Sequence, residues 1–370
     1  MKILLLSAYD ALSHQYWRKG LVRAFPEHDW TVLSLPARYF SWRLRGNSLS
    51  WAFGERETLS AGYDLLICTS MTDLSALKGL VPELARVPTL CYFHENQFAY
   101  PFSQKQQRSV EPLILNLYTA LAADTVLFNT GYNRQTLLDG VKTLLKKLPD
   151  FVPANTLELI RDKSFVLPVP LPDNVFLTHQ GNSALPLQVV FNHRWEYDKA
   201  PERMYAALQL LVKRQVPFRV HVVGQSFRQI PDVFSAMKQE LEPYIGRWGY
   251  IDSVTEYRSL LQEADVVLST AIHDFQGIAV LEGVAAGCRP VVPDRLAYPE
   301  LFARCYRYSS FENDPGREAL ALADHLEKLS IAKQEGQWGG VADIEALSWS
   351  ALTPGYRDWL EMATNTNSIF

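Results

Sequence analysis

Cysteine is scarce in this chain: Cys68, Cys91, Cys288 and Cys305 are all that 370 residues contain. They lie far apart, with no Cys-x-x-Cys pair and no Cys/His cluster, which argues against a structural zinc site. Buried, reduced thiols of a cytosolic protein fit the pattern better. Neither sign of charge dominates. Thirty-six Lys and Arg against 40 Asp and Glu leave a net charge of −4 and an isoelectric point near 6.1. Nothing global draws the chain to nucleic acid or to an anionic membrane, so any such contact must use a local patch. Long apolar runs are missing too. No segment reaches the ~18 residues that a membrane span requires, and the opening MKILLLSAYD is too short for a signal peptide and reads as a first strand.

What is present is ordinary for a soluble globular enzyme: 48% hydrophobic and 21% charged residues. The length predicts two domains of roughly 150–200 residues each. Apolar strand-like runs (KILLLSAY, DWTVLSLP, YDLLICTS, PTLCYFHEN, DTVLFNT) alternate with segments whose apolar residues recur at three- and four-residue steps. Continuous apolar strands joined by helices predict an α/β fold with parallel, doubly wound sheets. The rhythm breaks in a proline-rich stretch at about 168–186 and restarts with LQVVFNHRW. The expected layout is a first Rossmann-like domain over 1–180, a second over 181–345, and a tail over 346–370. That tail has a helical pattern from about Pro354 and is expected to cross back to the first domain.

Ligands of such sheets gather beyond the carboxyl ends of the strands. After QVVFN comes HRWEYDKAPE, with Arg194 and Lys199 five apart before a helix that opens at Pro201. Two cations at a helix start suit a diphosphate, since a guanidinium fork, a mobile ammonium and free N–H groups converge there. A plainer account pairs them with Glu196 and Asp198. After DVVLST comes HDFQGIAVLEGVAAG, with Asp274 and Glu282 on either side of a turn containing Gly277. Two hydrogen-bond acceptors flanking a set of backbone donors are complementary to a nucleotide sugar, which has hydroxyls at both ends and phosphates between. Gly224 ends another strand, either shaping the floor of this site or serving only as a turn glycine.

R-WEYD-K followed by D-FQGIAVL-E resembles the Arg-x4-Lys and Glu-x7-Glu motifs of glycosyltransferase family 4. The resemblance implies a GT-B fold, two Rossmann-like domains facing across a cleft. It implies that Glu282 holds the nucleotide ribose and Asp274 the sugar, with Phe275, Gln276, Gly277 and Ile278 forming the turn near the diphosphate. Asp274 is one methylene shorter than the usual Glu. YFHENQ, NHRWEYDKAPE, the H-D-F-x-G turn and PARYFSWRLR together are similar to the tRNA-queuosine α-mannosyltransferases. That likeness implies retaining transfer of mannose from GDP-mannose to the cyclopentenediol of queuosine in tRNA for aspartate. Where related chains carry paired glycines after the first strand, this one has Asp10-Ala11.

Three clusters in the first domain are candidate acceptor contacts. His14 stands at the start of the first helix; Glu95, Asn96 and Gln97 follow His94 after the fourth strand. This polar run either reads a polar ligand or is a hydrogen-bonded structural loop. In PARYFSWRLRGNSLSW, Arg38, Arg43 and Arg45 alternate with Tyr39, Phe40, Trp42 and Trp51. Arginine on phosphate and rings on unpaired bases fit an RNA loop; the same mixture also fits a polar lipid headgroup, or aromatics packed in the core beneath solvated arginines. The candidate catalytic set is His94, Arg194, Lys199 and Asp274, with His94 positioning sugar and phosphate. The cationic pair would stabilise the leaving diphosphate. With no Asp-x-Asp motif after any strand, no metal and no other cofactor are expected. Competing readings are a family 4 enzyme with a lipid or saccharide acceptor, and a non-catalytic tRNA-binding protein of the same fold.

Overall fold

The computed structural model describes residues 1–100, 109–148, 150–181, 186–226 and 230–365. The chain forms two compact units. One comprises residues 1–170 together with the C-terminal helix Trp349–Asn365, and the other residues 171–348. The break thus falls ten residues before the boundary read from sequence, inside the proline-rich stretch. Of that stretch, residues 182–185 lie outside the described residues.

The first unit holds a six-stranded, all-parallel sheet of β1 (Lys2–Asp10), β2 (Asp29–Pro36), β3 (Leu65–Thr69), β4 (Thr89–Phe93), β5 (Thr125–Phe128) and β6 (Ser164–Val166), in the order β2-β1-β3-β4-β5-β6. Central strands here must be apolar on both faces, and Ile3, Leu4, Leu5 and Leu6 are indeed all fully buried. Each such side chain contributes about 1.5–3 kcal/mol of burial. Helix Trp349–Asn365 closes this unit: Trp17 Nε1 donates to Tyr356 Oη at 3.0 Å, and Trp359 packs on Phe165. It begins five residues before Pro354, which sits inside it.

PARYFSWRLRGNSLSW received no element from its sequence, yet Phe40–Gly54 is a helix. Its buried face carries Leu44, Asn47, Ser48, Trp51 and Ala52, while Trp42, Leu49 and Phe53 are exposed. Alternating arginines and aromatics hid that periodicity.

The second unit repeats the plan with β7 (Leu187–Phe191), β8 (Phe218–Val223), β9 (Ile245–Gly249), β10 (Val266–Leu268), β11 (Arg289–Pro293) and β12 (Arg307–Tyr308), again all parallel and in the order β12-β11-β10-β7-β8-β9. β6 and β12, three and two residues long, were too short to read from periodicity. The strand order reverses between β1 and β3 in one unit and between β7 and β10 in the other. Ligands of doubly wound sheets sit at such reversal points, beyond the carboxyl ends of the strands. Among the described residues, no helix is long and apolar enough to cross a membrane.

Candidate functional site

At the reversal in the second unit, the loops after β7 and β10 meet. Residues 197–199 form one short turn, and Ala200, held at φ 45°, hands the chain to helix Pro201–Lys213. Thr270 Oγ1 donates to the carbonyls of Lys199 and Ala200 at 2.8 and 3.1 Å, while the amides of Ile272 and His273 donate to the Asp198 carbonyl. The two loops are therefore one hydrogen-bonded body.

Lys199 lies beneath that body. Its Nζ donates to the His273 carbonyl at 2.8 Å and stands 3.4 Å from a carboxylate oxygen of both Asp198 and Asp274. Burial alone would lower the lysine pKa, but Asp274 and Asp198 raise it. Burial likewise opposes ionisation of Asp274, and Lys199, His193 and the Gly277 N–H overcome it, holding its pKa below the usual value. Asp198 is depressed as well, against its own burial, by Lys199, a hydrogen bond from His273 and Arg194. The outcome is one cation between two anions, all charged at neutral pH.

Asp274 also sets the turn. Its Oδ1 accepts from Gly277 N at 2.8 Å, and Gly277, at φ 71°, begins helix Ile278–Ala285. A left-handed residue at this point is best supplied by glycine. The first amides of that helix have no intrahelical acceptor and the macrodipole favours negative charge there. Phe275 and Gln276 are buried, so the turn itself offers backbone rather than those two side chains; Ile278 is half-buried. Eight residues after Asp274, Glu282 accepts a hydrogen bond from Tyr257 Oη at 3.1 Å, and Tyr257 in turn accepts from Asn192 Nδ2 at 2.8 Å. Burial pushes the Glu282 pKa up, only partly offset by Tyr257 and Arg258.

The two cations read as a clamp differ. Arg194 is 48% exposed and pairs with Glu196 at 2.9 Å; such an exposed pair is worth about 0–1 kcal/mol and exchanges readily for a better anion. Lys199 is buried and committed to the turn, so it acts from below. Gly224, at φ 152°, is a close-approach glycine: a Cβ there would lie 1.9 Å from the His193 carbonyl oxygen. It permits the loops after β7 and β8 to touch.

In the first unit the sequence candidates separate. His14 and His94 come together, ring centroids 4.3 Å apart and both buried. Burial lowers both pKa values, that of His94 further through its neighbour His14, so both imidazoles are neutral. Asn96 and Gln97 do not form a ligand-facing run. Asn96 donates to the Asn133 carbonyl and to Thr136 Oγ1 and accepts from the amides of Phe98 and Ala99; the Gln97 amide donates to Asn116 Oδ1. Both side chains are buried, and the Asn96 side chain and the Gln97 backbone N–H fasten the loop, because amides leaving a strand end must find acceptors in the interior. Glu95 is half-buried beside them.

Arg43 is buried too, its Nε donating to the Pro36 carbonyl at the end of β2. Arg45 pairs with Asp73 and Glu111 at 3.2 Å each. Arg38, Tyr39 and Trp42 remain exposed. Helical periodicity explains the split, since residues three or four apart share a face and Arg43 shares its own with Asn47 and Trp51.

Residues 2–171 match the family description "tRNA-queuosine alpha-mannosyltransferase N-terminal", and residues 187–329 match "Glycosyl transferases group 1". A Drosophila melanogaster tRNA-queuosine alpha-mannosyltransferase is 33% identical over 96% of this chain and 95% of its own. The chain belongs to the tRNA-queuosine alpha-mannosyltransferase family. It is a hexosyl-transferring enzyme of GT-B fold. Among solved structures, sucrose-phosphate synthase from Thermosynechococcus elongatus superposes with a TM-score of 0.69 at 15% identity, covering 98% of this chain and 99% of that one. HepE of Anabaena, in complex with UDP, gives 0.64 at 14% identity, covering 98% and 100%. These likenesses concern the fold.

Three residues of the second-unit site were passed over in the sequence. His193, immediately before Arg194, is buried beside Lys199 and Asp274, and its Nε2 has no hydrogen-bond partner among the described residues. Burial first, then Lys199, lowers its pKa to about 4. Its place at a strand end was the available signal. Tyr257 and Asn192 reach Glu282 from other elements, and nothing in spacing announces that contact.

Proposed function

We propose that this enzyme transfers mannose from GDP-mannose, with retention, to the cyclopentenediol of queuosine in tRNA for aspartate. The observation that carries the reading is the Asp274 turn: a carboxylate tied to Gly277 N–H and backed by Lys199, with Glu282 held by Tyr257 eight residues on. Membership of the family named above supports the acceptor. In this reading Glu282 accepts from the ribose hydroxyls and Asp274 from a mannose hydroxyl. Arg194 leaves Glu196 for the diphosphate, and the first amides of helix Ile278–Ala285 complete its cradle.

As the bond from the anomeric carbon to the diphosphate breaks, negative charge grows on the leaving oxygen, where these preorganised donors stabilise it. The acceptor hydroxyl forms the new bond and gives its proton to the departing phosphate. Charge compensation comes from the protein, so the reading calls for no metal or other cofactor. Neutral His94 donates a hydrogen bond without adding charge. Arg38, Tyr39 and Trp42 offer a cation and stacking surfaces to the RNA.

Calorimetric titration with GDP-mannose tests the donor half. Glu282→Gln removes a charged acceptor worth about 1.5–3 kcal/mol, so binding should weaken by about 10- to 100-fold. GDP-mannose binding equal to wild type in that variant, or none in wild type, would overturn the assignment.

A further inference from the structure

The strand-order reversal of the first unit carries a group of buried polar atoms, of which the transfer described above uses only His94. Leu6 stands opposite Cys68 between β1 and β3, and Thr69 opposite Tyr92 between β3 and β4. Side chains alternate along a strand, so Ser7, Thr69 and Tyr92 point to one face of the sheet. Helix Leu12–Ala24 covers that face: Trp17 stacks on Tyr92 at 4.4 Å. One turn earlier His14 packs against His94, which lies 4.7 Å from the Tyr92 ring and 4.9 Å from that of Trp17.

Ser7, His14, Thr69 and His94 are each at most 7% exposed. Even so, Ser7 Oγ, Thr69 Oγ1, His14 Nε2 and His94 Nε2 all lack a hydrogen-bond partner among the described residues. A single buried polar group without a partner costs about 1–3 kcal/mol. Four at one reversal point make a site that a ligand's own polar groups would complete.

The chemistry of the four selects the ligand. Hydroxyls donate and accept, and a neutral imidazole does one at each nitrogen. Among the described residues, the nearby Arg18 is bound to Asp10 at 2.7 Å, and the charges that act on His14 are those of Glu95 and Asp10. An anion would meet donors but no counter-charge from Arg18 here, whereas adjacent hydroxyls on an apolar ring gain hydrogen bonds given and accepted by the four and packing from Trp17 and Tyr92.

We propose that Ser7, His14, Thr69 and His94 form a cup that binds the vicinal hydroxyls of the acceptor and selects acceptors that carry them. This deepens the proposed function and rests on its choice of acceptor. Ser7 and Thr69 thereby become positioning residues that reach the acceptor rather than core hydroxyls.

The test measures equilibrium binding of two tRNAs that differ only in the modified base, queuosine in one and its aminomethyl-deazaguanine precursor, without the diol, in the other. Wild type should prefer the queuosine RNA by about tenfold or more. Thr69→Val keeps the shape and deletes the hydroxyl; it should cut that preference about fivefold by weakening the queuosine RNA alone. Thr69→Ser should restore it. In transfer assays the valine variant should raise the KM for tRNA and leave the KM for the donor unchanged.

Equal binding of both RNAs by wild type, a preference untouched by Thr69→Val and Ser7→Ala, or equal loss of both RNAs would each overturn the cup. The function itself fails on a different result, namely a wild-type preference for queuosine RNA without hexose transfer to it.

Discussion

Replacing Lys199 with alanine removes the cation that lies between Asp198 and Asp274, whose side chains are only 7% and 19% exposed. A donor-site lysine read from sequence alone would be expected to give an inactive but well-folded variant. Its burial predicts otherwise. Breaking a buried pair and stranding its partners costs about 3–5 kcal/mol, against a total stability of about 5–15 kcal/mol.

The pH dependence has a definite sign. In wild type the pKa values of both aspartates are depressed, so their contribution is present above the unfolded value of 3.8 and lost as pH falls through the folded values. Without Lys199, the largest influence left on both is burial, which raises them, and the variant is expected to follow it. The folded variant then binds protons more readily than the unfolded chain, and its stability falls as pH rises. Urea denaturation at pH 5 and pH 7.5 should therefore show a larger deficit at the higher pH. A variant as stable as wild type at pH 7.5, or an equal deficit at both, would refute this account of the site.

Gly224→Ala should lose about 2–5 kcal/mol, adding overpacking against the His193 carbonyl to strain at φ 152°; a thermal melt checks it. Acid should destabilise the protein before its carboxylates titrate. His193 takes its proton near pH 4 in the fold and near 6.5 when unfolded, so about 3 kcal/mol is lost as pH falls through that window. His14, His94 and His221 shift in the same direction, and a denaturant midpoint that stays flat from pH 7 to 5 would contradict this. Arg38→Ala should weaken tRNA binding and lower its salt dependence by about one phosphate contact without changing GDP-mannose binding. Arg43→Ala should instead lower the melting temperature, because its guanidinium holds the end of β2.

The architecture was legible because parallel strands buried on both faces leave unbroken apolar runs such as ILLL and VVF. The meeting of the loops after β7 and β10 was legible because Arg194 and Lys199 follow one strand end and Asp274 follows the other. Orientation was not. Whether Asn96 faces a ligand or the Asn133 carbonyl depends on partners 37 residues away. Arg43 and Arg45 differ only by their place around a helix that alternating aromatics concealed. Lys199 reads from sequence as a mobile cation for a diphosphate because it precedes a helix start, while Asp274, the carboxylate that holds it in place, arrives from another loop. Tyr257 illustrates the same limit, since its hydroxyl finds Glu282 across 25 residues.

The most direct test of the central claim is nucleoside mass analysis after incubating the protein with GDP-mannose and tRNA that contains or lacks queuosine. The account predicts one hexose added to queuosine and none to tRNA lacking it. Unmodified queuosine, or hexose appearing on tRNA without queuosine, would contradict it.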